Sequence, residues 1–415
     1  MALDVVELLG EIDGIGRDPV RGGWSRHVFD PAERALVVWF VDRAAALGLD
    51  IETDANGNVW AWWGGRAPGA IAVGSHLDSV PGGGAYDGPL GVASALAAVD
   101  RLQGEGFVPA VPVAVAVFAE EEGSRFGVAC LGSKLLSGAI APDRALALTD
   151  GTGRTFAEVA SENGLVPERL GRDDDRIADV AAFVELHVEQ GRGLIDLGHP
   201  VAVASGILAH GRYRLVFTGE GNHAGTTRMA DRRDPVVAFA QAALAAARLA
   251  AEGDTHEHAA RATIGRLVPV PGGSNVIASR VDAWLDVRAD DDPAAHALRD
   301  RIVAAAEEAA RAHGCRLEVV EESYGPLVVF DAGLRTRVLE VLGDVPVIAT
   351  GAGHDAGVLG EVLPTAMLFV RNPTGVSHAP SEGATGDDCR AGVDALVAVL
   401  RDLASAPVGG REDRA

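Results

Sequence analysis

At 415 residues the chain is too long for one ordinary domain and fits two or three. Hydrophobic residues make up 48% and aromatics only 5%, which excludes a disordered chain and calls for cores built mainly from Ala, Val and Leu. The net charge of −23 argues against nucleic acid as a partner, because its backbone needs a basic face; most of these carboxylates are read as solvated and do not imply a cationic substrate.

The stretch from Met1 to Gly16 carries acids where a signal peptide would carry a basic leader, and its apolar residues are spaced like an amphipathic helix. No run is expected to approach the roughly 18 apolar residues of a membrane span. Helices are expected over 3–13 and 31–47, the second opened by Asp30, Pro31 and Glu33 and stopped by Gly48. Strands 51–54 and 59–63 flank Asn56-Gly57, a hairpin turn signal. Strand 71–75, helix 90–102 and strand 111–119 follow, then strands 146–149 and 183–187. That alternation argues for an α/β layer around a mixed, mostly parallel sheet.

The pattern changes near residue 208. From there the order is strand 213–218, helix 234–250, strands 262–268 and 283–288, helix 293–313 and strand 316–321, which suits a small α+β module of open-faced sheet plus two helices. After Gly325-Pro326 the α/β pattern resumes, with strand 366–370 and a closing helix near 386–403. The expected organisation is a catalytic domain over 1–207 and 326–415, interrupted by a smaller α+β domain over 208–325. Cys130, Cys315 and Cys389 are scattered singly, a sparse set that reads as reduced cytoplasmic thiols. Lys134 is the only lysine, so a P-loop has none to use and a Schiff base would rest on that one residue.

Five segments place His, Asp or Glu around the ends of apolar strands, where α/β sheets form their sites. They are Gly74-Ser75-His76-Leu77-Asp78-Ser79; Ala85-Tyr86-Asp87-Gly88, with Asp87 standing 11 residues after His76; Glu120-Glu121-Glu122-Gly123-Ser124-Arg125-Phe126; Glu185-Leu186-His187-Val188-Glu189-Gln190-Gly191; and Gly375-Val376-Ser377-His378-Ala379-Pro380. Singly, each has a plain reading: a hydrogen-bonded loop histidine, a solvated acidic turn, a helix cap. Together the plain readings lose ground. Three adjacent carboxylates at a buried strand end repel one another unless a cation or proton neutralises them. Imidazole and carboxylate together suit zinc, manganese, cobalt or nickel, and a bridging carboxylate plus histidines is how two such ions are held. Such ions polarise a carbonyl and acidify water, so one of Glu121 and Glu122 is expected as a ligand and the other as the base.

In this order, the segments resemble the hydantoinase/carbamoylase family of binuclear metal amidohydrolases, within the aminoacylase/carboxypeptidase superfamily of zinc peptidases. The family includes N-carbamoyl-L-amino acid hydrolases and allantoate amidohydrolases. The runs Glu121-Glu122-Gly123-Ser124-Arg125-Phe126, Asn222-His223-Ala224-Gly225-Thr226-Thr227 and Gly353-His354-Asp355-Ala356 carry the likeness, which extends from Gly57-Asn58-Val59 to the C-terminal helix. The resemblance implies two divalent ions per subunit (Zn, Mn, Co or Ni), with His76, Asp87 and His187 as ligands, Asp87 bridging, and Glu122 and His378 completing the ligand set of the second ion. It implies Glu121 as general base and Asp78 as the group orienting His76. Arg288, in Asp286-Val287-Arg288, and Asn275, in Pro271-Gly272-Gly273-Ser274-Asn275-Val276, would hold a substrate carboxylate, with Gln190 adding an amide hydrogen bond. His223 would stabilise the oxyanion from the other subunit of a homodimer. The implied reaction is hydrolysis of a ureido C–N bond in an N-carbamoyl-L-amino acid or allantoate, beneath a closing lid formed by the inserted domain.

The sequence also admits two alternatives. One is an aminoacylase or dipeptidase using the same metals; the other is a non-catalytic binding or scaffold relative, which is disfavoured because every ligand position and Glu121 are present. The chain departs from its relatives at Arg228-Met229, where Pro-Met is common, and at Arg371-Asn372, where Pro-Ser is common. The added positive charge could favour a more acidic or polar ligand, or could be surface drift. Asp150 reads as a strand-end residue, and His256-x-His258 as a solvated loop. His27, His199, His210, His296 and His313 read as structural or exposed. The Gly82-Gly83-Gly84 run lacks the Lys-Ser/Thr of a phosphate loop and reads as a tight turn between His76 and Asp87.

Overall fold

The computed structural model describes residues 3–255 and 258–405. Of the readings above, Met1, Ala2 and His256 lie outside the described residues. The chain forms two units, Met1–Gly206 with Val329–Ala415, and Ile207–Val328. In chain order the strands are β1 (Asp50–Thr53), β2 (Val59–Trp63), β3 (Ala70–His76), β4 (Val113–Phe118), β5 (Val180–Val188) and β6 (Val201–Ile207). They continue as β7 (Ala209–Thr218), β8 (Asn222–His223), β9 (Ala260–Val270), β10 (Val276–Ile277), β11 (Arg280–Ala289) and β12 (Arg316–Gly325). The last three are β13 (Val328–Val329), β14 (Val347–Thr350) and β15 (Thr365–Val370).

The large sheet runs β1-β2-β4-β3-β5-β15-β6-β13, with β14 paired to β6. Its centre is parallel: β3 pairs with β4 and β5, and β5 with β15. Its flanks turn antiparallel at β1–β2, β2–β4 and β15–β6. The central strands read as continuous apolar runs because helices cover them; β4, Val-Ala-Val-Ala-Val-Phe, is buried at every position. Helix Pro89–Gly104 and helix Gly386–Ser405 pack together with β3, β5 and β15, joining Val92, Leu96 and Val99 to Val393, Leu396 and Leu400 in one core. The result is an α/β fold.

The second unit is a four-stranded antiparallel sheet in the order β12-β7-β11-β9, with helices Pro235–Gly253 and Asp292–Ala312 packed together against it. Both helices start on an aspartate cap followed by proline near the first turn: Asp234 accepts from Val236 N–H, and Asp291 from Ala294 N–H. Helix Pro235–Gly253 corrects the expectation that no run comes near a membrane span, since by length and composition it is apolar enough. It buries Ala238, Ala242, Ala246 and Leu249 in the core of this unit, and its high alanine content serves close packing.

Residues 146–149 do not form the expected strand. Pro142 opens a short helix, Pro142–Leu146, and only an isolated bridge from Thr149 to Thr155 follows. The helix wins because Pro142 presets its first turn and Ala145 gives it a buried face. Asp30 lies at the N-cap position of helix Pro31–Ala46 but makes no capping bond; its carboxylate pairs with Arg125 at 2.9 Å, while Glu33 accepts from the Phe29 N–H.

Candidate metal centre

Because β4, β3, β5 and β15 are parallel neighbours, their carboxyl ends share one edge of the sheet. His76 is the last residue of β3, and Glu121 and Glu122 follow β4. His187 lies near the end of β5, His378 in the loop after β15, and Asp87 just before helix Pro89–Gly104. Side chains up to 302 residues apart in sequence are thereby gathered around Asp87.

Asp87 is the pivot. Its Oδ1 lies 3.4 Å from His76 Nε2 and 3.1 Å from His187 Nε2. Its Oδ2 lies 3.5 Å from His378 Nε2 and accepts from Gln190 Nε2 at 2.7 Å and Ser377 Oγ at 3.2 Å. Two converging groups of donor atoms share this carboxylate: His76, Asp87 and His187 on one side, Asp87, Glu122 and His378 on the other. His378 Nε2 is 3.3 Å from Glu122 Oε2. Glu121 belongs to neither group; its Oε2 lies 3.6 Å from His76 Nε2.

The imidazoles are aimed by their other nitrogens. Nδ1 of His76 lies 3.1 Å from the Asp78 carbonyl, and Nδ1 of His187 lies 2.8 Å from the Val188 carbonyl, so each ring donates backwards and turns Nε2 into the cluster. Both Nε2 atoms are buried without a hydrogen bond. The Asp78 carboxylate accepts the main-chain N–H groups of Glu121 and Glu122, each at 3.1 Å, and its Oδ1 lies 3.5 Å from His76 Nδ1. It therefore ties the end of β3 to the loop after β4. Gly88 makes room for this packing: at φ +82 a Cβ would stand 2.5 Å from His76 Cε1.

Burial drives Glu121 and Glu122 well above the ordinary carboxylate range, and neighbouring carboxylates add to it. Burial opposes protonation of His76, but Glu121, Asp78 and Asp87 outweigh it and raise the ring well above its usual value. Asp87 is held well below: burial resists ionisation, and His187 and His76 overcome it. Clustered acids that hold protons and imidazoles that gain them describe a site short of positive charge. A divalent cation answers that shortage and takes up the unpartnered Nε2 atoms, so the residues present fit divalent metal.

A third convergence, Glu185, His187 and His354, lies behind the first. His354 packs edge-on to His187 with centroids 4.5 Å apart. Both Glu185 oxygens already accept, from Ser75 Oγ and from the Ala356 N–H. This group buttresses β5. The sequence reading gave Glu185, His354, Asp355, Ser377 and Glu382 no role, although the Gly353-His354-Asp355-Ala356 run was visible. Glu382, whose Oε1 accepts the N–H of Tyr86 and of Asp87 at 3.0 Å each, left no signal, because it sits 295 residues from the backbone it holds.

The departure at Arg371-Asn372 is structural. Arg371 pairs with buried Asp388, Nη2 to Oδ1 at 2.8 Å. Asn372 is buried; its Oδ1 accepts from Thr374 N, Thr374 Oγ1 and Gly375 N, and its Nδ2 donates to the Val376 carbonyl. Asn372 builds the turn that carries His378, which itself holds φ +56. Asp150 is also settled by local bonds, accepting from Thr152 and Arg154 while facing Arg125. His258 is exposed, with Nδ1 3.1 Å from Asp290 Oδ2.

In the second unit, β8 and β10 pair His223 with Val276, and Ala224 N–H donates to the Asn275 carbonyl, so His223 and Asn275 are brought together. Both are exposed. His223 Nδ1 accepts from Gly225 and Thr226 N–H, which leaves its ring proton on the outward Nε2. Arg288, half-buried on β11, donates from Nε to Asp286 Oδ1 at 2.8 Å and from Nη2 to Oδ2 at 3.2 Å. Arg228 is exposed.

Residues 72–402 match the profile of peptidase family M20/M25/M40. The chain belongs to that family. Along 95% of its length it is 35% identical to an N-carbamoyl-L-amino acid amidohydrolase of Geobacillus stearothermophilus, covering 97% of that protein. It is 32% identical to the allantoate amidohydrolase of Escherichia coli strain K12, over 96% of this chain and 97% of the relative. Among solved structures, an amidase of the hydantoinase/carbamoylase family from Burkholderia multivorans superposes with a TM-score of 0.85 at 29% identity, over 98% of this chain and 99% of the other. Within the M20 family the chain is therefore a member of the hydantoinase/carbamoylase group. The α/β fold with its large mixed sheet is the fold of these M20 proteins.

Proposed function

We propose that the protein is a metal-dependent amidohydrolase that hydrolyses a ureido C–N bond in a small carboxylate-bearing substrate, an N-carbamoyl-L-amino acid or allantoate, releasing ammonia and carbon dioxide. The observation that carries this reading is the pair of donor groups sharing Asp87, with Glu121 beside them and outside both. The names of the two relatives supply the substrate class. Neither is named for an N-acyl or peptide substrate, so the aminoacylase or dipeptidase reading is not carried forward.

His76, Asp87 and His187 would hold one divalent ion and Asp87, Glu122 and His378 a second, from among Zn, Mn, Co and Ni. When bound, such ions polarise the scissile carbonyl and acidify the attacking water. Glu121 takes the proton of that water and hands it to the leaving nitrogen, a role suited to a buried, basic carboxylate. Asp78 keeps His76 and the Glu121–Glu122 backbone in register. Arg288 and Asn275 bind the substrate carboxylate, and Gln190 adds an amide contact once it leaves Asp87. His223 presents its Nε2–H to the oxyanion of the other subunit in a cytoplasmic homodimer, and the inserted unit acts as lid and dimerisation domain.

The test is hydrolysis of a panel of allantoate, N-carbamoyl, N-acetyl and dipeptide substrates before and after chelation, read as ammonia release for the ureido substrates and as freed amino acid for the N-acetyl and dipeptide ones. Chelated protein should be inactive. Two ions per chain should restore turnover of the ureido substrates and raise the melting temperature, since they bind a site that the unfolded chain lacks. Full turnover in metal-free protein, or turnover confined to the N-acetyl and dipeptide substrates, would refute the reading.

A further inference from the structure

A buried thiol stands against the carboxylate assigned above as the base. Cys130 is 3% exposed and its Sγ lies 3.4 Å from Glu121 Oε1, within sulfur hydrogen-bonding range. The two segments are also laced through their main chains: Cys130 N–H donates to the Glu121 carbonyl at 2.7 Å, Leu131 N–H to that of Glu120 at 3.1 Å and Gly132 N–H to that of Ala119 at 2.9 Å. Those three bonds would hold the backbone in place with any side chain at position 130. They leave the Glu121 carboxylate free to rotate about its last bonds.

The thiol removes that freedom. At neutral pH an ordinary thiol keeps its proton, and burial, together with Glu121, pushes that of Cys130 further up, so the S–H donates and Oε1 accepts. With Oε1 engaged, Oε2 is the oxygen presented to the donor cluster, 3.6 Å from His76 Nε2. The two oxygens of one carboxylate are thus assigned different neighbours. Backbone conformation at position 130 points the same way. Cys130 holds φ +55, a left-handed conformation that disfavours residues with a Cβ and that glycine would adopt without strain. A plain packing role would not explain a side chain there that reaches the base.

We propose that Cys130 is a positioning residue for the reaction, its S–H fixing the rotation of the Glu121 carboxylate so that Oε2 faces the metal donors. The inference rests on the reading of Glu121 as the proton-transferring base. It requires no reaction at sulfur and no change in metal binding.

Cys130→Ala should lower kcat about ten-fold while KM for the ureido substrate and metal content stay at wild-type values, because only the aim of the base is lost. Cys130→Ser, which keeps a donor on a shorter arm, should recover part of that loss. The infrared S–H stretch reports the contact without turnover. In wild-type protein one S–H band should lie at the lowered frequency of a thiol bonded to carboxylate, and in Glu121→Ala that band alone should move to the position of a free thiol. A wild-type kcat in Cys130→Ala, with Glu121→Gln inactive, overturns the proposal and leaves the base reading intact. Activity in Glu121→Gln overturns the base reading itself, and the proposal with it. If Cys130→Ala does not fold, the Cys130→Ser kinetics and the infrared band decide: an unshifted band in Glu121→Ala rejects the contact.

Discussion

The two units treat their candidate site residues in opposite ways. In the first, His76, His187, Asp87 and Glu121 are buried at the end of a parallel sheet, and the Nε2 atoms of His76 and His187 have no hydrogen-bond partner. In the second, His223 and Asn275 lie exposed at the two-stranded β8–β10 pair, and Arg288 donates to its neighbour Asp286. A buried donor or acceptor left unmade costs about 1–3 kcal/mol, whereas an exposed one is served by water. The first arrangement therefore favours an incoming cation. The second leaves its exposed groups to water. The contrast separates a prebuilt part from an exposed one: the donor atoms around Asp87 are set by the core of one unit, while His223 and Asn275 lie at the surface of the other.

Loss of the proposed base, Glu121, should have the largest effect. Glu121→Gln is expected to lower kcat about a thousand-fold or more while metal content is unchanged, as measured by steady-state kinetics beside elemental analysis. Loss of metal together with activity would place Glu121 among the ligands and erase its distinction from Glu122.

His223→Ala comes next, with an expected loss of about a hundred-fold or more in kcat and no change in metal. If His223 serves the partner's site, mixing the Glu121→Ala and His223→Ala homodimers should restore activity. Random exchange makes about half the dimers mixed, each with one intact site of two, so activity should climb to about a quarter of wild type. Exchange confirmed by mass with no gain in activity would confine His223 to its own chain and break the contrast between a prebuilt and an assembled half.

Arg288→Lys should raise KM about ten-fold with kcat and metal content little changed, because the ammonium keeps the charge but loses the planar fork. Unchanged kinetics across the substrate panel would mean that Arg288 serves only Asp286.

The smallest effect is expected at Asn372. Replacing it with Ala strips the bonds to Thr374, Gly375 and Val376, and should destabilise the protein by about 2 kcal/mol in denaturant titration. The ranking of ureido substrates should stay the same, since the buried amide shapes the loop and faces no solvent. A changed ranking would make this loop a specificity element.

The sequence alone determined the elements with strong periodicity and clear start signals. The caps and prolines of Pro235–Gly253 and Asp292–Ala312, the apolar runs of β3 and β4, and the order of strands and helices on which the α/β reading rests depend on neighbours a few residues apart, so they are written locally. Donor types were legible for the same reason: imidazoles and carboxylates just beyond apolar runs are visible without coordinates. What the tertiary structure decided is convergence. That Asp87 is shared by two donor groups, that Glu121 falls outside both, and that Asp78 binds the loop after β4 follow from which strands are neighbours, and β4-β3-β5-β15 is not the chain order. Residues 146–149 were misread because a four-residue apolar stretch carries no period, and its fate was set by Pro142 and by the burial of Ala145. For Arg371 and Asn372 the sequence left both a ligand-facing and a surface reading open, and Asp388 and the His378 turn close on them instead. Glu382 was silent because the backbone it bonds lies 295 residues away, and a hydrogen bond between distant segments leaves no pattern in either; the Cys130–Glu121 contact was silent because it closes across an irregular turn.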